Sequence, residues 1–197
     1  MRMCFFSHQL NMASKFFYFG FGSNMLAKRI HIQNPTAERI GPGKLENYRL
    51  DFFSKSRNWN GAPATIVPCC EENVYGSIWE IDMCNMKDLD DQEGVAQGIY
   101  VPISVSVLSL NTKTPVCCRA YHLANQPMTN LSKAPADCIP FNRQPSKTYL
   151  KTLVKGAIET GIDDDYVKWL RTIKHNGNTV EKFENDLELA EVELCTN

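Results

Sequence analysis

Residues 15–30 read KFFYFGFGSNMLAKRI: an aromatic run, a break at Gly20-Phe21-Gly22-Ser23-Asn24, then apolar residues at helical spacing. The run predicts a short strand and the tail a helix through Met25, Leu26 and Ile30. Two glycines let the backbone turn sharply and approach a ligand with no Cβ in the way. Ser23 and Asn24 are residue types that cap helix N-termini, where unpaired N–H groups attract carboxylate or phosphate. A strand-to-helix turn that receives a small anion is one reading; a glycine turn that only caps a helix is the other.

The rest of the chain bounds the possibilities. Its 197 residues, 43% of them hydrophobic, suit one ordinary domain with a substantial core. A net charge of -1 gives no general attraction for nucleic acid or an anionic membrane. No run of about 18 apolar residues exists to span a bilayer. The eight cysteines include two directly adjacent couples and no C-x-x-C pair, a pattern suited neither to zinc nor to ordinary disulfides. This points to a reducing, cytoplasmic setting. A catalytic cysteine paired with His8, His31, His122 or His175 has no spacing to mark it. Residues 1–15 read as a flexible extension, with Met12 an alternative start, and residues 16–197 as a single domain.

Along that domain, strand-like runs fall at 48–53, 64–70 and 73–81, with Glu71-Glu72-Asn73 as a hairpin turn. Next comes NMKDLDDQEGV, in which Asn85 can cap a short helix that ends before Gly94. At 100° per residue Met86, Leu89 and Glu93 share one face, Asp88 and Asp91 point away, and Asp90 lies at the edge. Glu93 therefore sits half-desolvated near the negative end of a helix. Both effects raise a carboxylate's pKa and make it a useful base at neutral pH. The alternative is an ordinary exposed acidic helix end.

Residues 99–108 alternate strictly, with Val101, Ile103, Val105 and Val107 opposite Tyr100, Pro102, Ser104 and Ser106. A turn at Asn111-Thr112-Lys113 leads to a hairpin partner over 115–124. Residues 126–145 hold four prolines and read as a long loop of the kind that often covers a site. Ser146 caps a helix with an apolar stripe through Tyr149, Leu150, Leu153, Val154, Ala157 and Ile158, ending at Gly161. Another short helix spans 163–173. Val180, Phe183, Leu187, Ala190 and Leu194 then repeat at 3–4 spacing, and Asn178 with Glu181 suggests a capping box and a C-terminal amphipathic helix.

FGFGSNML, EGVAQGIYV and PSKTY, in that order over residues 16–170, together resemble the γ-glutamylcyclotransferases. The resemblance implies an α+β fold, a mixed β-barrel flanked by α-helices, that needs no cofactor or metal. It also implies a homodimer that releases 5-oxoproline from γ-glutamyl amino acids or dipeptides. By position, Tyr18, Phe19, Gly20, Phe21, Gly22 and Ser23 become the substrate loop, Glu93 the general acid/base, and Tyr149 a substrate contact. Two features depart from the family pattern. Phe21 stands where a tyrosine is usual, and the loop before Tyr149 is longer.

The chemistry agrees with these residue types. In a γ-glutamyl amide the α-amine can fold back onto the γ-carbonyl, so no protein nucleophile is required. The amine arrives protonated, with a pKa of about 8, and a carboxylate of raised pKa can take that proton and pass it to the leaving amine. Orienting the folded-back conformer is worth on the order of 7–11 kcal/mol. The N–H groups of residues 22–24 suit either the α-carboxylate or the developing oxyanion. Sister activities on γ-glutamylamines or glutathione remain open, as does a non-catalytic module for small carboxylates. A nucleotide site is disfavoured, because no Gly-Lys-Ser/Thr follows the glycines and no βαβ series is present.

Overall fold

Five strands close into a barrel in the order β1-β3-β2-β4-β5: β1 (Lys15–Gly20), β2 (Glu38–Phe52), β3 (Ala64–Asp82), β4 (Tyr100–Ser109) and β5 (Pro115–Leu123). The structure, a computed structural model, describes residues 14–195. All but one of the pairings are antiparallel. The barrel is closed by the parallel contact of β1 with β5, Tyr18 opposite Arg119, which makes the sheet mixed as expected. Of the proposed extension, residues 1–15, Lys15 already belongs to β1 and Ser14 O accepts from the Met83 N–H at 2.8 Å, while residues 1–13 lie outside the described residues.

β1 is buried on both faces. Phe19 enters the main core with Ile66, Ile78, Val105, Val107 and Leu153. Tyr18 joins a second cluster with Trp79, Ile81, Leu89 and Tyr121 beneath α2 (Met86–Gln92). Two such faces account for the nearly unbroken aromatic run. The valine alternation of β4 is present, with Val105 and Val107 buried and Ser104 and Ser106 exposed. Its hairpin with β5 turns at Lys113, at φ 59°.

The runs at 64–70 and 73–81 form one 19-residue strand rather than two. The residues read as a turn are a bulge. Glu46 pairs with Asn73 and Tyr48 with Pro68, so four residues of β3 stand against Asn47 alone. Glu71 takes φ 64° there, and its N–H donates to Asn47 Oδ1 at 3.3 Å. A polar left-handed residue looks the same in sequence whether the chain reverses or only bends, and here the acceptor that settles it lies on the neighbouring strand.

Helix α3 (Lys147–Thr160) is capped as expected, Ser146 Oγ accepting from the Tyr149 N–H at 3.1 Å. Ile158 is half-exposed and outside the buried stripe. Helix α4 (Asp164–Thr172) follows from an Asp163 cap. The C-terminal helix α5 is only Glu181–Asp186 and has no side-chain cap. The Lys151 and Lys155 ammonium groups donate to the carbonyls of Leu187, Glu188 and Leu189, replacing helical partners, and Glu188 turns to φ 53°. Of the expected stripe Leu187 buries almost completely and Val180, Phe183 and Leu194 partly, while Ala190 is exposed; Leu189 and Val192 bury in its place once the helix has ended. Among the described residues no helix is long and apolar enough to cross a membrane.

Candidate active site

The turn after β1 is tighter than its sequence suggests. Residues Ser23–Met25 form a 3-10 turn, followed by a single α-turn, α1 (Ala27–Ile30), and neither Ser23 nor Asn24 caps it. So short a helix lacks the aligned peptides of a strong N-terminal dipole. Packing fixes the turn instead. A Cβ on Gly156 of α3 would stand 2.6 Å from Leu26 N and 2.7 Å from Met25 Cβ, so α3 presses directly on it.

Glu93 caps the C-terminus of α2, its N–H bonded to Leu89 O at 3.0 Å, and Gly94 reverses the chain at φ 65°. This geometry aims the carboxylate inward. Glu93 and the glycine turn open onto one cavity of about 450 Å³. Tyr18, Phe21, Gly22, Ser23, Glu93 and Tyr149 all line it. Phe19, fully buried, points into the main core, and Gly20 pairs with Ser77 in the sheet; neither reaches the cavity.

Burial pushes the Glu93 pKa up to about 7, against the Arg29 cation and a hydrogen bond from Asn24, with the nearby Asp90 charge adding to the rise. The Asn24 Nδ2 donates to Glu93 Oε1 and to Tyr18 Oη, each at 3.1 Å. Gln92 Nε2 donates to Asn24 Oδ1 at 2.9 Å, and Asn34 Nδ2 to Gln92 Oε1 at 3.3 Å. Asp90, at the stripe's edge, accepts from Arg119 Nη2 at 2.6 Å and from the Tyr121 hydroxyl at 2.5 Å. Asp91 is exposed and paired with Lys87.

Tyr149 lies opposite. Its hydroxyl accepts from Ala64 N–H at 3.2 Å, while Tyr100 donates to Ala64 O at 2.8 Å, so two phenols hold the backbone of one residue at the start of β3 from both sides. Burial raises the Tyr149 pKa to about 12, keeping its proton available for donation. A Cβ on Gly22 would stand 2.9 Å from this hydroxyl. That gap explains why the loop needs a glycine there.

Several lining residues escape a sequence reading. Arg29 lies one turn beyond the glycines on a helix face that reads as merely solvated. Its buried Nε has no hydrogen-bond partner among the described residues, and its side chain lines the cavity. Tyr100 is the exception, since its position opposite the β4 valines is legible. Lys55, Arg57, Trp59 and Tyr121 come from distant elements and carry no local signal. The prolines of 126–145 do not cover this cavity; among the described residues none of that loop lines it. Arg143 instead seats the loop on Asp51, at 2.5 and 2.6 Å, beside Arg49. Among the described residues no group of three His, Cys, Asp or Glu side chains is placed to hold a metal ion.

A model of the AIG2-like family matches residues 73–170. The chain is 36% identical over 183 residues to the γ-glutamylcyclotransferase of Bos taurus, covering 89% of each chain. To that of Homo sapiens it is 35% identical over 185 residues, covering 90% of each. A solved γ-glutamyl cyclotransferase superposes with a TM-score of 0.77 at 31% identity, over 89% of this chain and 99% of that one. With this similarity running the length of barrel and helices alike, the chain belongs to the γ-glutamylcyclotransferase family.

Proposed function

We propose that this chain is a γ-glutamylcyclotransferase in which Glu93 is the general acid/base. The observation that carries this reading is the shared cavity: a carboxylate with a pKa of about 7 and the glycine turn line one space of about 450 Å³, large enough for a small molecule. The substrate α-ammonium loses a proton to Glu93, and its nitrogen attacks the γ-carbonyl carbon. A new C–N bond closes the five-membered ring. The bond to the leaving amine breaks as Glu93 returns that proton to it. The ring nitrogen, which carries two hydrogens after attack, gives up one as the second proton that departs on the leaving ammonium, so 5-oxoproline and an amino acid leave without any co-reactant.

Arg29 is the best-placed receptor for the substrate's α-carboxylate, because its half-buried guanidinium has at Nε a donor unmet among the described residues, beside the cavity. The residue 22–24 backbone and the Tyr149 hydroxyl are then left to face the developing oxyanion. Phe21 contributes only apolar surface to this wall, so no phenol acts from that position. A homodimer and cytoplasmic residence extend the reading. The seven described cysteines, all free, support a reducing compartment, and half-exposed Ile99 and Val101 at the start of β4 offer apolar surface for a second subunit.

The test is 5-oxoproline release from a γ-glutamyl amino acid, a γ-glutamyl-lysine amide and glutathione, with Glu93→Gln alongside. Release from the first substrate that collapses in the variant supports the assignment. Turnover unchanged in the variant overturns it, and a chain that binds these compounds without turnover is a carboxylate-binding module.

A further inference from the structure

We infer that the cavity selects γ-glutamyl compounds whose leaving amino acid bears a second carboxylate, and that Lys55 and Arg57 recognise it. The inference rests on the cyclotransferase reading and names its substrate class. Among the described residues lining the cavity, Glu93 is the only acid, while Arg29, Lys55 and Arg57 are cations. This excess is local, since the whole chain carries a net charge of -1.

Lys55 and Arg57 are exposed, and neither makes a salt bridge among the described residues. Their charges are therefore available to a ligand. Nor do they hang from a slack loop. The Ser56 N–H donates to Gly61 O at 2.9 Å, and Ala62 N–H to Gln144 O at 2.9 Å. The side-chain amides of Asn176 and Asn178 both donate to Asn60 O at 3.0 Å. Trp59 packs against Tyr149 at 4.8 Å and Phe183 at 4.4 Å between ring centroids. The wall that carries the two cations is thus fixed relative to Tyr149, and an anion held there gives up little to loop ordering.

Charge matching identifies the substrate. In a γ-glutamyl amino acid with a neutral side chain, the ammonium faces Glu93 and two carboxylates face three cations. One cation is left without a partner. An acidic leaving residue, glutamate or aspartate, supplies the third carboxylate. A lysine in that place brings a like charge to the wall and is rejected. Rim charges act mainly through association and are weakened by salt.

The experiment compares kcat/KM for γ-glutamyl-glutamate and the isosteric γ-glutamyl-glutamine, with γ-glutamyl-lysine as the cationic member. Two exposed charge contacts predict a Glu/Gln ratio of about fivefold at low salt, shrinking toward one in high salt, with lysine poorest. The ratio is expected to fall to one in Lys55→Gln/Arg57→Gln. In Lys55→Glu/Arg57→Glu the order reverses in favour of γ-glutamyl-lysine, and thermal unfolding confirms that both variants fold. A wild-type ratio of one, or a ratio that survives charge reversal, overturns the selectivity while 5-oxoproline release still upholds the cyclotransferase. Failure to release product from any of the three overturns both.

Discussion

The side-chain amide of Asn24 stands 3.1 Å from Glu93 Oε1 and is itself held by Gln92 at 2.9 Å, so the carboxylate receives a donor that cannot swing away. Asn24 is 4% exposed, and its Nδ2 also reaches the Tyr18 hydroxyl. A hydrogen bond to the ionised carboxylate favours the charged form, which burial disfavours. The Glu93 pKa near 7 is the balance of these opposing effects.

Replacing Asn24 with Ala removes that donor while leaving burial in place. The Glu93 pKa is expected to rise, moving the acidic limb of the kcat/KM profile to higher pH. Activity at pH 7 drops by about fivefold if the limb moves from 7 by one unit, and by about tenfold at pH values well below it. The pH profile is the measurement that matters, since a purely structural loss lowers the whole curve without moving it.

Glu93→Gln is expected to abolish turnover by about 10²–10⁴-fold, the usual share of a positioned acid/base. It also stabilises the fold at alkaline pH. The folded-state pKa lies near 7 against the model-compound value of 4.5, so between those values the native state holds more protons than the unfolded chain. Stability therefore falls as pH rises through that window, by on the order of 3 kcal/mol in full. Urea unfolding at pH 5 and pH 8 should show wild type losing stability relative to the variant; a constant difference contradicts the raised pKa.

Gly22 and Tyr149 are coupled by the 2.9 Å that would separate a new Cβ from the hydroxyl. Gly22→Ala is expected to displace the phenol and lower kcat by about tenfold or more, in line with the sensitivity of catalysis to small misplacements. Tyr149→Phe removes the oxygen that the methyl meets but leaves Ala64 N–H without that acceptor. The double variant should therefore lose less than the two single losses combined. Additive losses in a double-mutant cycle would show that the contact is not shared.

Away from the cavity, Arg143→Ala leaves Asp51 with Arg49 alone at a site where both partners are at most 8% exposed. Breaking a buried charge pair costs about 3–5 kcal/mol. Chemical denaturation should show a lower midpoint, and limited proteolysis should cut residues 126–145 first, because Arg143 also donates to Thr129 O at 3.2 Å.

The parts of this molecule legible in its sequence are those set by local periodicity. The phase of Glu93 on α2 follows from Met86 and Leu89, and the Ser146 cap and β4 alternation from single residues and a period of two. The bulge at Glu71 was hidden because its meaning depends on Asn47, 24 positions earlier. The short α5 was hidden because Lys151 and Lys155 reach across to end it. Phe19 and Gly20 share a motif with Gly22 and Ser23, yet strand alternation turns Phe19 away from the face of Tyr18, and the Asn24 backbone, 3.3 Å from where a Cβ on Gly20 would stand, covers Gly20, so only part of the motif meets the cavity. Arg29 was hidden for the opposite reason: an amphipathic pattern files every cation under solvent.

The twin asparagine amides gripping Asn60 O tie one rim of the pocket to a segment that contributes nothing to the barrel. Substitutions at 176–178 can therefore tilt that rim and alter which molecules enter, while Glu93, anchored through α2, keeps its aim. Descendants of such a chain have a route to new diets that spares the proton-handling machinery.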